Sequence, residues 1–344
     1  AAFQSLQGGA THYTSSFGLP AFKAAIAEVT QRSRGFLPSD NQILVTPGAN
    51  ISIYYAVACL CNPGDEVLVP DPGFPTYYSV IKMCGAKAVR VPLREACGFR
   101  VQPRDIAARI TKRTRLIIFN SPNNPTGAVS TPAEIKAIYG LAKEHDLYLY
   151  SDEIYARMIY KKEDFHSPSR YEPCSERVIV SNGFSKSYAM TGWRLGTLIG
   201  PVNVVERMGL LLQTTSSCVS PFIQMAGIEA LKGNQRPIND MMSTYKARRD
   251  FMVNALNKIA GIQCNSPGGA FYLFANIQKT GMSSEELADY LLYHAHVAVL
   301  PGTNFGDQGA GYIRLCFAKN IDHLKLAVER IDRAMSDLPE YLAS

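Results

Sequence analysis

The run Ser181-Asn182-Gly183-Phe184-Ser185-Lys186-Ser187-Tyr188-Ala189-Met190-Thr191-Gly192-Trp193-Arg194-Leu195-Gly196 places a lysine eight residues before an arginine. Lys186 follows an apolar, β-branched stretch at 178–180 that reads as a buried strand. An amine held at a strand end in mostly apolar surroundings loses hydration. Its pKa falls, and its neutral form attacks an aldehyde. Arg194, one or two turns on, can hold an anion at a fixed distance from that amine. An aldehyde that also carries a phosphate answers to both residues, and pyridoxal 5′-phosphate is such a molecule.

Other positions offer complementary chemistry. Asp152, in Ser151-Asp152-Glu153-Ile154-Tyr155, closes the apolar stretch 147–150. A carboxylate there can face a ring nitrogen and keep it protonated, and only one of Asp152 and Glu153 need enter a site. Ser121-Pro122-Asn123-Asn124-Pro125-Thr126-Gly127 is a turn directly after the stretch 116–119. Open α/β sheets place ligands at such strand ends. Thr46-Pro47-Gly48-Ala49-Asn50 precedes a helical pattern, and small residues at a helix N-terminus let backbone N–H groups approach a phosphate. Arg314, in Tyr312-Ile313-Arg314-Leu315-Cys316, sits among apolar residues on an alternating strand. A buried arginine needs an anion, either a structural partner or the carboxylate of a ligand.

These candidates fall at the ends of regularly alternating elements. Short apolar stretches at 66–69, 88–92, 116–119, 147–150, 178–180 and 195–199 read as strands. Amphipathic segments at 50–61, 74–83, 132–145 and 202–213 lie between them. The alternation predicts an α/β fold with a mostly parallel sheet and helices on both faces. Thr131-Pro132-Ala133-Glu134 and Ser283-Ser284-Glu285-Glu286 are capping boxes that start helices. After a long helix expected at 239–259 the pattern changes. An apolar run at 270–274, a helix at 283–294, strands at 297–300 and 312–317 and a helix at 321–336 predict a smaller α+β unit.

Composition bounds the possibilities. At 344 residues, 47% hydrophobic and 19% charged, the chain reads as an ordinary soluble enzyme of more than one domain. Its net charge of +6 is spread without blocks, so no nucleic-acid arm is expected. Apolar runs fall short of membrane-span length. The eight scattered cysteines contain no C-x-x-C pair and are expected as buried thiols, with no metal site or disulfide framework. His294 and His296 are expected as a surface pair. The chain opens at Ala1 without a Met or a signal-like segment. The expectation is a chain that has lost its start, with the cytoplasm as its compartment.

Taken in order along nearly the whole chain, these motifs resemble the fold-type-I pyridoxal-phosphate enzymes of the aspartate aminotransferase superfamily, closest to the class I/II aminotransferases. The resemblance implies a large pyridoxal-phosphate-binding domain at 1–240, with a mostly parallel mixed sheet sandwiched by helices. A smaller α+β C-terminal domain would occupy 241–344. Lys186 would hold the cofactor aldehyde covalently and, once released by substrate, move a proton. Asp152, the choice over Glu153, would hold the pyridine nitrogen protonated, and the Tyr155 hydroxyl would bond the cofactor phenolate oxygen. Asn124 would bond that same oxygen and help hold the substrate carboxylate, which Arg314 would clamp. Ala49 and Asn50 would give N–H groups to the phosphate, with Arg194 as counter-charge. Phe74, in Asp71-Pro72-Gly73-Phe74-Pro75, would stack on the ring. Tyr13 would reach the phosphate of the neighbouring subunit, so the active unit would be a homodimer with shared sites.

The activity so implied is transamination between an L-amino acid and a 2-oxo acid. The alternative on the same scaffold is a lyase or cyclase using the same carbanion. A cofactor-binding sensor is the non-enzymatic reading, without support from any helix-turn-helix segment. Three departures from the family pattern stand out. The residues that usually precede Tyr13 and cover the substrate are missing. Gly183 replaces a common phosphate-binding serine, a task left to Ser185 or Ser181. Asn50 stands where some aspartate-selective relatives carry lysine, so no second cationic clamp is evident.

Overall fold

The structure, a computed structural model, describes residues 1–161 and 165–343. Eleven strands among these form two sheets, one of seven strands and one of four. The large sheet contains β1 (Ile43–Thr46), β2 (Glu66–Asp71), β3 (Lys87–Pro92), β4 (Thr114–Asn120), β5 (Tyr148–Asp152), β6 (Val178–Gly183) and β7 (Gly196–Ile199). Their spatial order is β1-β7-β6-β5-β4-β2-β3. Only β7 runs against the others, pairing antiparallel with both β6 and β1.

Each central strand feeds two cores. Leu68, Ile117, Leu149 and Val180 face one layer, where they meet Phe22 and Ile26 of the helix Pro20–Arg34 and Ile135 and Ile138 of the helix Pro132–Glu144. The alternate residues Val67, Leu116, Tyr150 and Ile179 face the other layer, against the helices Ala49–Leu60, Pro75–Met83 and Val202–Ser216. Burial on both faces explains why these strands read as continuous apolar runs rather than alternating ones. The capping boxes form as expected: Thr131 accepts from the N–H of Glu134, and Ser283 from that of Glu286.

The small sheet has the order β10-β11-β9-β8. Its strands are β8 (Gln263–Cys264), β9 (Tyr272–Asn276), β10 (Leu300–Pro301) and β11 (Tyr312–Cys316), all paired antiparallel. Leu273, Ala275, Ile313 and Leu315 pack there against Met252, Leu287, Leu291, Leu324 and Ile331, which come from the helices Arg236–Leu256, Ser284–Ala295 and Ile321–Ala343.

Several elements differ from expectation. The strand expected at 297–300 shrinks to the two residues of β10, and the last helix continues to Ala343. The helices Pro20–Arg34 and Pro221–Lys232 and the strand β1 were not anticipated. The cysteines are all free, but only Cys174 and Cys264 are buried. Cys59, Cys61, Cys84, Cys97 and Cys218 are half-buried and Cys316 is exposed, so the buried-thiol reading fails for these six. Among the described residues no helix is long and apolar enough to cross a membrane.

Candidate active site

Sheet register gathers the site. Asn120, Asp152 and Ser181 are Cα partners across β4, β5 and β6. Gly183 and Thr46 both pair with Gly196 across β7. The carboxyl ends of the parallel strands therefore meet the start of β7 along one edge, where open α/β sheets bind ligands. A cavity of about 340 Å³ opens there. Ala49, Asn50, Phe74, Asn124, Asp152, Tyr155, Lys186, Arg194 and Arg314 all line it. Of the residues expected in the site, only Tyr13 is elsewhere, 86% exposed on the surface of its own chain.

Lys186 stands in the four-residue helix Phe184–Ser187 that follows β6. Its Nζ lies 5.7 Å from the centre of the Phe271 ring. Burial lowers its pKa, opposed by Cys316 and aided by the charges of Arg194 and Arg314. The shift enlarges the neutral, nucleophilic fraction.

Asp152 is 7% exposed at the end of β5. The Tyr77 hydroxyl donates to its Oδ2 at 2.7 Å and the Ile154 N–H to its Oδ1 at 3.2 Å. Burial raises the carboxyl pKa, and these two bonds oppose the rise. Glu153 turns the other way. It forms a buried ion pair with Arg34 and accepts from the hydroxyls of Ser151 and Ser167, so its charge is structural and not solvated.

Asn120 braces both sides of this edge. Its Nδ2 donates to the Asp152 carbonyl at 3.0 Å, and its Oδ1 accepts the Asn124 N–H at 2.9 Å. Asn124 Oδ1 in turn accepts from Arg314 Nη1 at 2.9 Å. Asn123, by contrast, spends its side-chain oxygen on Thr126 within the turn. The Arg314 guanidinium sits between the rings of Tyr272 at 4.4 Å and Phe305 at 4.6 Å. Its Nε is buried without a hydrogen-bond partner, and no described carboxylate pairs with it. A cation so placed is unfinished until an anion arrives. Tyr155 and Tyr272 share a hydrogen bond at 3.1 Å between their hydroxyls, and burial carries the Tyr155 pKa well above the ordinary phenol range.

The opposite end of the cavity is shaped by missing side chains. Gly48 adopts φ 87°, and a Cβ there would lie 2.3 Å from Arg194 Nη2. A Cβ on Gly196 would lie 2.6 Å from the Ala49 nitrogen. Glycine at both positions lets the start of the helix Ala49–Leu60 and the Arg194 guanidinium close into one cup. Arg194 Nη1 donates to the Thr191 carbonyl at 2.9 Å, and no described acid pairs with it. Around the cavity, Lys186, Arg194 and Arg314 face the single acid Asp152. Two unpaired guanidinium groups, a helix start, an amine of lowered pKa and one buried carboxylate fit pyridoxal phosphate beside a substrate carboxylate.

Ser185 lines the cavity as one of the two expected stand-ins for the usual serine, whereas the lining residues Ile53, Tyr77, Asn120, Ile154, Thr191 and Tyr272 were not singled out as site residues from sequence. Tyr77 carried a readable signal, one helical turn after Phe74. Asn120 carried another, as a polar residue ending an apolar strand. At Gly183 a Cβ would lie 2.9 Å from Ile154 Cδ1, so that side chain already holds the space of the usual serine. Ser185 lines the cavity, whereas the Ser181 hydroxyl bonds Ser52 behind it.

Fold and site together define a pyridoxal-phosphate enzyme acting on amino-acid Cα bonds. Residues 1–331 match the family model described as aminotransferase class I and II. An aspartate aminotransferase of Pyrococcus horikoshii is 39% identical over 337 residues, 97% of this chain and 86% of the relative. Aromatic-amino-acid aminotransferase 2 of Thermococcus litoralis is 36% identical, over 97% of this chain and 86% of its own length. The crystal structure of an aromatic aminotransferase from P. horikoshii superposes with a TM-score of 0.95 at 36% identity, covering 98% of this chain and 91% of that one. The chain belongs to the class I and II aminotransferases. It is a transaminase whose cofactor is pyridoxal 5′-phosphate.

Proposed function

We propose that this chain moves an amino group between an L-amino acid and a 2-oxo acid, with Lys186, Asp152 and Tyr155 as its catalytic residues. The observation that carries the reading is the cavity where an amine of lowered pKa and a buried carboxylate meet two guanidinium groups without an acid partner among the described residues. Bound there, the cofactor supplies the aldehyde that captures the amino group and the ring that takes up electrons from the substrate Cα.

The chain's own residues divide the remaining work. The N–H groups of Ala49 and Asn50 hold the phosphate with Arg194, and Ser185 is the nearby hydroxyl that replaces the usual serine. Phe74 covers the ring and excludes water. Asp152, steadied by Tyr77, keeps a proton on the pyridine nitrogen. The Tyr155 hydroxyl and the Asn124 amide donate to the phenolate oxygen. Arg314, aimed by Asn124, binds the substrate α-carboxylate and sets the Cα hydrogen toward Lys186. Lys186 Nζ then takes that proton and returns it.

Tyr13, exposed on its own subunit, completes the phosphate site of a second copy, so the active unit is a homodimer. The two sheets support a division into domains near 1–240 and 241–344, with the helix Arg236–Leu256 running across the boundary and Phe274, Phe305 and Tyr312 packing into the core of the large sheet.

The reading is tested by adding one substrate at a time to the loaded protein. An amino acid alone changes the cofactor absorbance, and a 2-oxo acid alone restores it. An unchanged spectrum across a broad amino-acid panel rejects the proposal, and pyruvate with ammonia released without any 2-oxo acid selects a lyase instead. Arg314→Leu is expected to lower kcat/KM for amino acids by about 10²–10³-fold, because a desolvated charge loses its partner. Its rate with a related amine lacking the carboxylate should stay near that of the unaltered enzyme. Comparing the two substrates isolates the clamp.

A further inference from the structure

Three hydroxyls beneath the phosphate cup have no part in the chemistry above. Ser52 Oγ donates to the Ala49 carbonyl at 2.5 Å, and lies 3.0 Å from the Tyr150 hydroxyl and 2.8 Å from that of Ser181. All three side chains are 0% exposed. They come from three elements: Ser52 from the first turn of the helix Ala49–Leu60, Tyr150 from β5 and Ser181 from β6. Ser52 has one hydroxyl proton, and the carbonyl of Ala49 can only accept it. Tyr150 and Ser181 must therefore both donate to Ser52. The proton chain runs from the sheet to a single backbone carbonyl.

That carbonyl matters because a peptide unit is planar. The C=O of Ala49 and the N–H of Asn50 belong to one rigid amide and point in opposite directions. Fixing the oxygen against the sheet aims the Asn50 N–H outward, toward the cup. The N–H groups stand beside a thinned set of hydroxyls, because Gly183 has none to give and Ile154 occupies its Cβ space, leaving Ser185 as the nearby one.

We propose that Ser52, held by Tyr150 and Ser181, is a positioning residue that orients the Asn50 N–H toward the cofactor phosphate. The inference rests on the reading of this cup as the phosphate site. It predicts an effect confined to the phosphate end of the ligand, which a general loosening of the core would not produce.

The test compares pyridoxal 5′-phosphate with pyridoxal, which lacks the phosphate, each titrated into cofactor-free protein and followed by the absorbance of the Lys186 adduct. Ser52→Ala should raise the apparent Kd for pyridoxal 5′-phosphate about tenfold and that for pyridoxal by less than about twofold. Ser181→Ala, which removes one donor and leaves Ser52 in place, should shift the same ratio in the same direction by a smaller factor. Both variants weakening the two ligands equally, or changing neither, overturns the inference while leaving the assignment of the cup intact. Failure of the unaltered protein to form an adduct with either compound sinks both.

Discussion

Lys186→Ala is expected to lower turnover by about 10⁴-fold, the upper range for loss of a positioned acid–base group that is also a nucleophile. The fold should survive the change. The lysine stands in a single helical turn fixed by backbone bonds, among them the Phe184 N–H to the Leu195 carbonyl at 3.1 Å and the Tyr188 N–H to the Phe184 carbonyl at 3.2 Å. Among the described residues its side chain makes no hydrogen bond, and its Nζ lies over the Phe271 ring. Burial already disfavours the protonated amine, so removing it relieves a desolvated charge and opens a modest void. Thermal unfolding should move by only a few degrees while turnover collapses. Borohydride should fix an imine at Lys186 of the unaltered protein and nothing in the variant. Turnover within about tenfold of the original would remove Lys186 from the mechanism.

What could be read from sequence, and what could not, follows from how far each signal reaches along the chain. Lys186, Asp152 and Asn124 were legible because each follows an apolar strand within a few residues, and all three line the cavity. Asn120 was legible only as a polar strand end; its role was not, because that lies in register, and only the pairing of β4 with β5 sets its amide beside the Asp152 backbone. Tyr272 was hidden for a similar reason, since it reaches the cavity from β9, paired with Cys316 across the small sheet. β1, Ile43-Leu44-Val45-Thr46, is a short apolar and β-branched run that carries a strand signal of its own, while its place beside β7 follows only from register. The helix Pro20–Arg34 lacks a side-chain cap, so its start is marked only by Pro20 at the first helical position. The six cysteines that are not fully buried show the limit of composition, which gives average burial and not position. Tyr13 lies beyond what one chain can show, because its expected partner is a second copy.

Asp152→Asn is expected to cut turnover by about 10³-fold, as when one member of a buried charge pair is removed. The amide keeps the shape and can still accept from the Tyr77 hydroxyl, but it cannot stabilise a proton on the pyridine nitrogen. Tyr77→Phe makes the contrast: it removes one bond to the carboxylate and keeps the charge, so its cost should be about tenfold. Stability should move the other way in the cofactor-free chain. Burial raises the Asp152 pKa, so the folded state binds the proton more tightly than the unfolded one. Such a group favours folding below its unfolded pKa and loses that contribution as pH rises through the folded value. At neutral pH the ionised carboxylate therefore opposes folding until a cation settles beside it. Asparagine lifts that burden, and the cofactor-free variant should lose less stability on going from acidic to neutral pH than the original does. The stabilisation gained on adding cofactor should shrink in the variant, since ligand binding raises stability only as far as its affinity allows. Melting curves at two pH values, with and without pyridoxal 5′-phosphate, check both signs. An equal cofactor-induced shift in the two proteins would mean that Asp152 does not face the ring nitrogen.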